Sequence, residues 1–200
     1  MSSYGSLSNG VILMAGLPGT GKSTAAQRLL SELTDYKEIE NNAVRRKLGM
    51  QETSKLDQNR DRITLDTINK MIAEHLNGGE GVLLDSVHRF KNRRQEIYDI
   101  AARSGKNILV LECICSEEEA KRRMLQRPDN KGLIRDPRDT SVYDRLAGEW
   151  EAIEEDIIKY KDVSHLKYDT QRNSLMRMHV AEGARQLVQR IESILLYTSK

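Results

Sequence analysis

The chain has 200 residues, of which 38% are hydrophobic and 31% charged, a composition typical of one soluble domain of ordinary size. Its 32 basic and 30 acidic residues leave a net charge of +2, which gives no global argument for a nucleic-acid-binding protein. No apolar run approaches the ~20 residues that a membrane-spanning helix needs, so we expect no membrane role.

The first ten residues, MSSYGSLSNG, are polar and small. They lack the basic start and apolar middle of a secretion signal. The sequence therefore predicts a disordered tail over residues 1–10, one domain over residues 11–200 and a cytoplasmic location. Its two cysteines, Cys113 and Cys115, have no second Cys or His pair at ligand spacing, which favours buried reduced thiols over a metal pair.

The strongest pattern is the stretch VILMAGLPGTGKS from Val11 to Ser23. Its apolar start shows no alternation, which predicts a parallel strand covered on both faces. The next eight residues have the spacing Gly, four residues, Gly-Lys-Ser, which is typical of a phosphate-binding loop between a strand and a helix. The good helix formers that follow from Thr24 support this interpretation, although a Gly-rich turn can match the spacing by chance.

Each residue type in this loop has a chemical role. Glycines allow successive backbone amides to point at one anion, so the loop becomes a cup for phosphate. Lys22 would reach the β- and γ-phosphates, and the Ser23 hydroxyl would bind the magnesium ion that bridges them. The residues expected to bind nucleotide here are Gly16, Pro18, Gly19, Thr20, Gly21, Lys22, Ser23 and Thr24.

Three elements are predicted before the next buried strand. Tyr36–Glu40 suits a short strand, and Asn42–Gly49 suits one or two helical turns that begin with Asn and end at Gly. From Gln58 to Leu76, apolar residues recur every four positions, which predicts an amphipathic helix. The adjacent bases around Arg45 suit either a solvated face or a site for an anionic acceptor.

Gly81–Asp85 repeats the buried-strand pattern and ends in an acid. Open α/β sheets place their ligands at this end of the strands. Asp85 could hold magnesium directly or through water, or it could cap the following segment. The basic helix start from Arg89 to Arg94 opposes the helix dipole, so it indicates either a waiting anion or an exposed surface helix.

The second half of the chain continues the alternation of strands and helices. Asn107–Ile114 is predicted to be a buried strand, and Ser116 is expected to cap the helix that follows it. Arg127 to Thr140 is rich in charge and in helix breakers, and we predict a mobile lid whose closure would bring guanidinium groups onto phosphate. Ser141 to Ile158 is predicted to be one helix, with Trp150 as a packing residue.

The last third is expected to hold a weak final strand at His165–Thr170 and a closing helix from Asn173 to Leu196. His75, His165 and His179 lie far apart and form no ligand pattern, so we assign them no role.

These motifs together resemble the P-loop kinase family, in the branch that holds polynucleotide 5′-hydroxyl kinases, zeta-toxin-like kinases and gluconate-type small-molecule kinases. The resemblance covers residues 11 to about 170. It implies an α/β P-loop NTPase with a five-stranded parallel sheet in the order 2-3-1-4-5, flanked by helices, and a lid at about residues 127–140. It also implies transfer of the γ-phosphate of ATP to a hydroxyl.

The match is better on the nucleotide side than on the acceptor side. Arg123 and Arg127 match the paired lid arginines, and Arg45 matches an arginine on the acceptor side. The family usually carries Asp-x-x-Arg there, the Asp taking the proton of the attacking hydroxyl, whereas this chain has Asn42. An amide is not a base at neutral pH, so Glu40 or another acid supplies that role, or positioning suffices, or the acceptor differs.

The leading hypothesis is a kinase that uses ATP and magnesium and acts on a hydroxyl of a small molecule or a nucleic-acid 5′ end. Because aromatic residues make up only 4% of the chain, a long single-stranded track is disfavoured. A nucleotide-dependent regulatory ATPase is the alternative. The residues assigned to catalysis are Lys22, Glu40, Asp85, Arg123 and Arg127, and those near the acceptor are Asn42, Arg45, His88, Arg89 and Arg93.

Overall fold

The computed structural model describes residues 9–50, 58–128 and 138–197, which form a sheet between two layers of helices. The strands are Val11–Ala15 (β1), Tyr36–Glu40 (β2), Gly81–Asp85 (β3), Ile108–Ile114 (β4), Val163–Asp169 (β5) and Ser174–His179 (β6). The helices are Lys22–Glu32 (α1), Asn41–Lys47 (α2), Gln58–Asn77 (α3), Lys91–Arg103 (α4), Glu117–Leu125 (α5), Ser141–Gly148 (α6), Glu154–Lys159 (α7) and Arg185–Leu196 (α8).

The strand order is β2-β3-β1-β4-β5-β6. The first five strands are parallel to their neighbours, which confirms the predicted sheet order and the α/β fold class. The sixth strand pairs with β5 in the antiparallel direction and extends the sheet by one strand. The carboxyl ends of β1, β2 and β3 therefore meet at one edge, where the phosphate-loop motif begins.

Alternate residues of the central strand β1 enter two different cores. Ile12 and Met14 pack with α1 and α8, whereas Val11 and Leu13 pack with α3 and α4. This explains the unbroken apolar run in the sequence, since both faces of a central parallel strand are covered.

The single helix predicted from Ser141 to Ile158 was wrong. Two short helices, α6 and α7, replace it, and the backbone between them leaves the helix to contact the start of α4. The amide of Glu151 donates to the carbonyl of Arg89 over 3.1 Å, and Trp150 packs against the core as expected. Gly148 ends α6, since glycine is a poor helix former and these tertiary contacts favour an irregular segment.

The helix predicted from Asn173 to Leu196 was wrong in its first half. A tight turn, in which Asp169 Oδ1 accepts from the amides of Gln171 and Arg172 over 3.0 Å each, reverses the chain into β6. Asn173 completes that turn with a φ of 51°. The residues after this turn pair with the unpaired backbone groups at the edge of β5 and form β6. Of the predicted helix, only Arg185–Leu196 is helical.

Two predictions on organisation fall largely outside the described residues: the tail, of which residues 1–8 are not described, and the lid, of which residues 129–137 are not described. Within the described ranges, none of the helices has the length and apolar character needed to span a bilayer.

Candidate active site

The segment between β1 and α1 forms a loop that contains three glycines in left-handed backbone conformations. Gly16, Gly19 and Gly21 have φ values of 137°, 80° and 87°, which residues with a side chain rarely adopt. At Gly19 the constraint is also steric, because a Cβ would overlap the carbonyl oxygen of Ala120. The loop therefore has the left-handed geometry from which an amide cup for an anion is built.

Two side chains of the loop converge on one of its own carbonyl oxygens. Thr20 Oγ1 and Lys22 Nζ each donate to the oxygen of Leu17 over 2.8 Å. Burial lowers the pKa of Lys22 to about 8, and among the described residues no carboxylate pairs with its side chain. The ammonium group thus lies at the N-terminus of α1, where the helix dipole also favours an anion.

Ser23 and Asp85 supply oxygen ligands beside this ammonium group. Ser23 is exposed, Asp85 is partly buried, and both line the same cavity. Hydroxyl and carboxylate oxygens are the ligands that Mg²⁺ prefers, and the charge of Asp85 acts on Lys22 by raising its pKa against the effect of burial. The donor set therefore fits a magnesium ion bound together with a nucleotide.

A cavity of about 1220 Å³ extends from the loop towards α2, α3 and the start of α4. Among ligand sites this is a large volume, enough for more than one small molecule. The residues that the sequence assigned to the site and that line this cavity are Pro18, Lys22, Ser23, Glu40, Asn42, Arg45, Asp85, His88, Arg89, Arg93 and Arg127. Nucleotide-side and acceptor-side residues thus share one space.

The two lid arginines lie in different surroundings. Arg127 is exposed at the cavity, and its side chain has no partner in the described ranges. Arg123 lies outside the cavity lining, where Nε contacts Glu119 Oε1 at 2.6 Å and a terminal nitrogen donates to Thr170 Oγ1 over 2.8 Å. Thr170 in turn donates to the carbonyl of Thr20 over 2.9 Å. Arg123 is therefore linked to the phosphate loop through Thr170.

The cations on the acceptor wall lie against carboxylates. Arg45 contacts Asp61, and its guanidinium is only partly exposed. The other pairs are Arg46 with Glu40 at 3.2 Å, Arg89 with Glu149 at 2.8 Å, Arg93 with Glu96 at 3.1 Å and Lys91 with Glu155 at 3.3 Å. This wall is therefore polar and largely neutralised by its own side chains.

Arg94 corrects the interpretation of the basic helix start, because it faces neither an anion site nor solvent. It is fully buried, and its Nε lies 2.6 Å from Asp156 Oδ2, which also accepts from the Tyr98 hydroxyl over 2.9 Å. A terminal nitrogen of Arg94 donates to the carbonyls of His88 and Arg89 over 3.0 Å each. Arg94 thus ties the loop between β3 and α4 to α7.

His88 lies on that loop with a φ of 48°. Its Nδ1 is 2.7 Å from the carbonyl oxygen of Met14, and the neighbouring carbonyl of Val87 accepts from the amide of Gly16 over 3.3 Å. Burial lowers the pKa of His88 to about 4, and the charges of Arg94 and Lys22 act in the same direction. The imidazole is therefore neutral near pH 7.

A second polar cluster joins β4, β5 and α7, and it contains His165, to which the sequence assigned no role. Ligand atoms of Glu112, Glu154 and His165 lie within 4.8 Å of one another. Lys167 already neutralises the cluster, with Nζ 2.5 Å from Glu154 Oε1 and 3.6 Å from Glu112 Oε2.

The two cysteines are free thiols, as predicted, but only Cys113 is buried, and burial raises its pKa to about 12. Cys115 is partly exposed, with Sγ 4.0 Å from the carbonyl of Gly19.

Sequence reasoning missed Asp61 and Thr170. Asp61 lies inside a helical pattern, and no local signal marks it as the partner of Arg45. Thr170 ends the predicted strand His165–Thr170, and its position one residue beyond Asp169 at the carboxyl edge of the sheet is the signal that could have pointed to it.

Comparisons with known proteins agree with this geometry. A family model described as an AAA domain matches residues 11–153. No curated protein sequence is significantly similar to the chain. A sugar kinase from Janibacter sp. has a TM-score of 0.61 at 16% identity, over 82% of this chain and 86% of that one.

Two further solved structures are similar. Kti12 from Chaetomium thermophilum, in complex with ADP-AlF3, has a TM-score of 0.60 at 19% identity, over 92% of this chain and 98% of that one. A gluconokinase from Sinorhizobium meliloti has a TM-score of 0.54 at 17% identity, over 94% and 92% of the two chains. At such identities the likeness concerns the fold, which is that of P-loop kinases, as the sequence resemblance implied.

Proposed function

The chain belongs to the AAA domain family, and on that premise we propose that it is an ATP-dependent phosphotransferase that moves the γ-phosphate to a hydroxyl of a small polar molecule. The observation that carries the proposal is the single cavity shared by the phosphate loop and the wall that contains Arg45 and His88. A donor and an acceptor held in one space can react directly, and positioning supplies much of the rate enhancement of phosphoryl transfer.

On the nucleotide side, the loop amides and Lys22 would bind the β- and γ-phosphates. Ser23 and Asp85 would hold magnesium, which supplies positive charge that offsets the charge of the triphosphate. Arg127, exposed and without a side-chain partner in the described ranges, is the guanidinium available to the transferred group. Arg123 would act indirectly, because its contacts reach the loop through Thr170.

The ion pairs on the cavity wall that contains Arg45 limit which acceptors can bind there. An acceptor with several phosphates would have to break pairs such as Arg45 with Asp61, at the cost of leaving carboxylates uncompensated. A polyol, sugar or nucleoside needs only hydrogen bonds, and the paired side chains still offer free donors and acceptors. We therefore place a small hydroxyl compound ahead of a nucleic-acid end.

Neither Asn42 nor Glu40 on this wall suits the role of general base. Asn42 is exposed and its amide accepts no proton at neutral pH. Glu40 lies in the cavity, but its carboxylate is 3.2 Å from the Arg46 guanidinium, and this ion pair favours a structural role.

The test is ADP production by the purified protein with Mg-ATP, alone and with separate pools of sugars, nucleosides, cofactors and oligonucleotides bearing a 5′-hydroxyl. Strong stimulation by the sugar or nucleoside pool is expected, with transfer of labelled γ-phosphate to a member of that pool. Equal turnover in every pool would contradict a phosphotransferase and support the regulatory ATPase. Stimulation by oligonucleotides alone would overturn the small-molecule assignment.

A further inference from the structure

His88 has a backbone conformation that a non-glycine residue rarely adopts. Its φ of 48° is strained for a non-glycine residue and persists only where the surroundings enforce it. They do so here, because Arg94 binds the carbonyl of His88 and the amide of Gly16 binds the carbonyl of Val87. These contacts hold the backbone of His88 next to the phosphate loop.

The contact with Met14 determines which ring nitrogen of His88 carries the proton. A carbonyl oxygen only accepts hydrogen bonds, so Nδ1, at 2.7 Å from it, must be the donor. In the neutral ring, Nε2 then carries the lone pair. His88 lines the cavity that also contains Lys22 and Ser23, and because the Met14 carbonyl occupies Nδ1, Nε2 is the ring nitrogen left for a ligand of that cavity.

We propose that Nε2 of His88 is the proton acceptor for the attacking hydroxyl, a role that rests on the proposed phosphotransferase function. The Met14 carbonyl orients the ring, as the third group does in other nucleophile–base–orienter arrangements. Asn42 also lines the cavity, but its side chain is an amide, which accepts no proton at neutral pH.

The transfer step balances with the groups named. The hydroxyl oxygen forms a bond to the γ-phosphorus, and the bond from that phosphorus to the β,γ-bridging oxygen breaks, with its electron pair leaving on ADP. The hydroxyl proton moves to Nε2 and gives an imidazolium whose Nδ1–H still donates to Met14. Solvent takes the proton when the products leave.

The electrostatics of His88 suit a transient proton carrier. Its pKa of about 4 is close to that of an ordinary aspartate, so the imidazole has the basicity of the carboxylate that is missing at Asn42. Arg94 and Lys22 disfavour the imidazolium, whereas Asp85 and the Met14 carbonyl favour it. The proton is therefore released again after transfer.

Two variants separate proton acceptance from the structural role of the ring. His88→Asn keeps an N–H for Met14 and tolerates the left-handed backbone, but lacks the lone pair at Nε2. His88→Gln offers an amide oxygen that can orient a hydroxyl without taking its proton. With Mg-ATP and water as the acceptor hydroxyl, we expect both to lower kcat about 10²-fold while the Kd for Mg-ATP and the Tm of His88→Asn stay close to wild type.

A kcat of His88→Asn within about threefold of wild type would overturn the proposal, and so would high activity of His88→Gln, which would indicate orientation only. Long-range ¹H–¹⁵N spectra of the histidine-labelled protein, with His88→Asn for assignment, should show His88 as the neutral Nδ1–H tautomer at pH 7. An Nε2–H tautomer would overturn the proposal without any activity measurement. Wild-type protein that binds Mg-ATP but transfers phosphate to water and to no acceptor pool would contradict the phosphotransferase function, and the spectrum would then decide the tautomer of His88 alone.

Discussion

The two halves of the cavity hold their positive charges in different ways. Among the described residues of the nucleotide half, Lys22 donates its hydrogen bond to a backbone carbonyl, and the side chain of Arg127 has no partner. On the acceptor half, Arg45, Arg46 and Arg89 all face carboxylates. One half presents charge for a polyanion, and the other presents a compensated polar surface.

This difference indicates what each half is built to bind. An uncompensated ammonium group is costly without a counterion, and a triphosphate with magnesium provides one. A wall whose charges are already paired gains little binding free energy from an anion, but it offers directional hydrogen bonds to hydroxyl groups. The central claim is therefore that the phosphate loop binds the nucleotide, whereas hydrogen bonds from the charge-paired wall to hydroxyl groups select the acceptor.

The largest expected effect concerns the acceptor half. Arg94→Met leaves the buried carboxylate of Asp156 uncompensated and removes the donor to the His88 carbonyl. We expect a loss of about 3–5 kcal/mol in the free energy of unfolding, measured by urea denaturation. The double variant Arg94→Met/Asp156→Leu should recover much of this loss, and an equally unstable double variant would show that the ion pair is not the cause.

Lys22→Ala tests the nucleotide half. Removing the uncompensated ammonium group should lower Mg-ATP turnover by about 10²-fold or more, since it faces the charge that develops on the phosphates. Lys37→Ala is the matched control, because Lys37 forms an exposed pair with Glu80 and should leave turnover unchanged. Near-normal turnover by Lys22→Ala would contradict the claim that an ammonium group without a carboxylate partner binds the phosphates on the nucleotide half.

A smaller effect is expected at Glu40. If its ion pair with Arg46 defines its role, Glu40→Gln should change turnover by less than about threefold. Asn42→Asp gives the comparison, because it adds to the cavity lining a carboxylate that can accept a proton, and it should raise the rate. A large loss in Glu40→Gln would instead identify Glu40 as the base.

The smallest effect is a proton-linked one. Lys22 has a pKa of about 8, so it is about half protonated at pH 8, and a bound triphosphate favours the charged form and raises that pKa. Binding of Mg-ATP at this pH should take up about 0.5 proton, measured as buffer-dependent binding heats. Lys22→Arg, always charged, should show no uptake, and buffer-independent heats in the wild type would contradict the buried ammonium group.

The local parts of the fold and site were predictable from the sequence. The parallel strands are unbroken apolar runs, and the phosphate loop is fixed by eight consecutive residues. β6 was missed because its pairing depends on the edge of β5 rather than on its own pattern. The pairing of Arg94 with Asp156 joins residues 62 apart, and the tautomer of His88 depends on a carbonyl 74 residues away. Such contacts follow from the tertiary fold, which residue spacing does not encode.

The most direct test of the central claim is calorimetric titration of the wild-type protein with ATP in the presence of magnesium, next to Lys22→Ala. The account predicts saturable binding of one ATP per chain to the wild type and a large loss of affinity in the variant. Absence of binding heat in the wild type across several temperatures, or equal affinity in the two proteins, would contradict it.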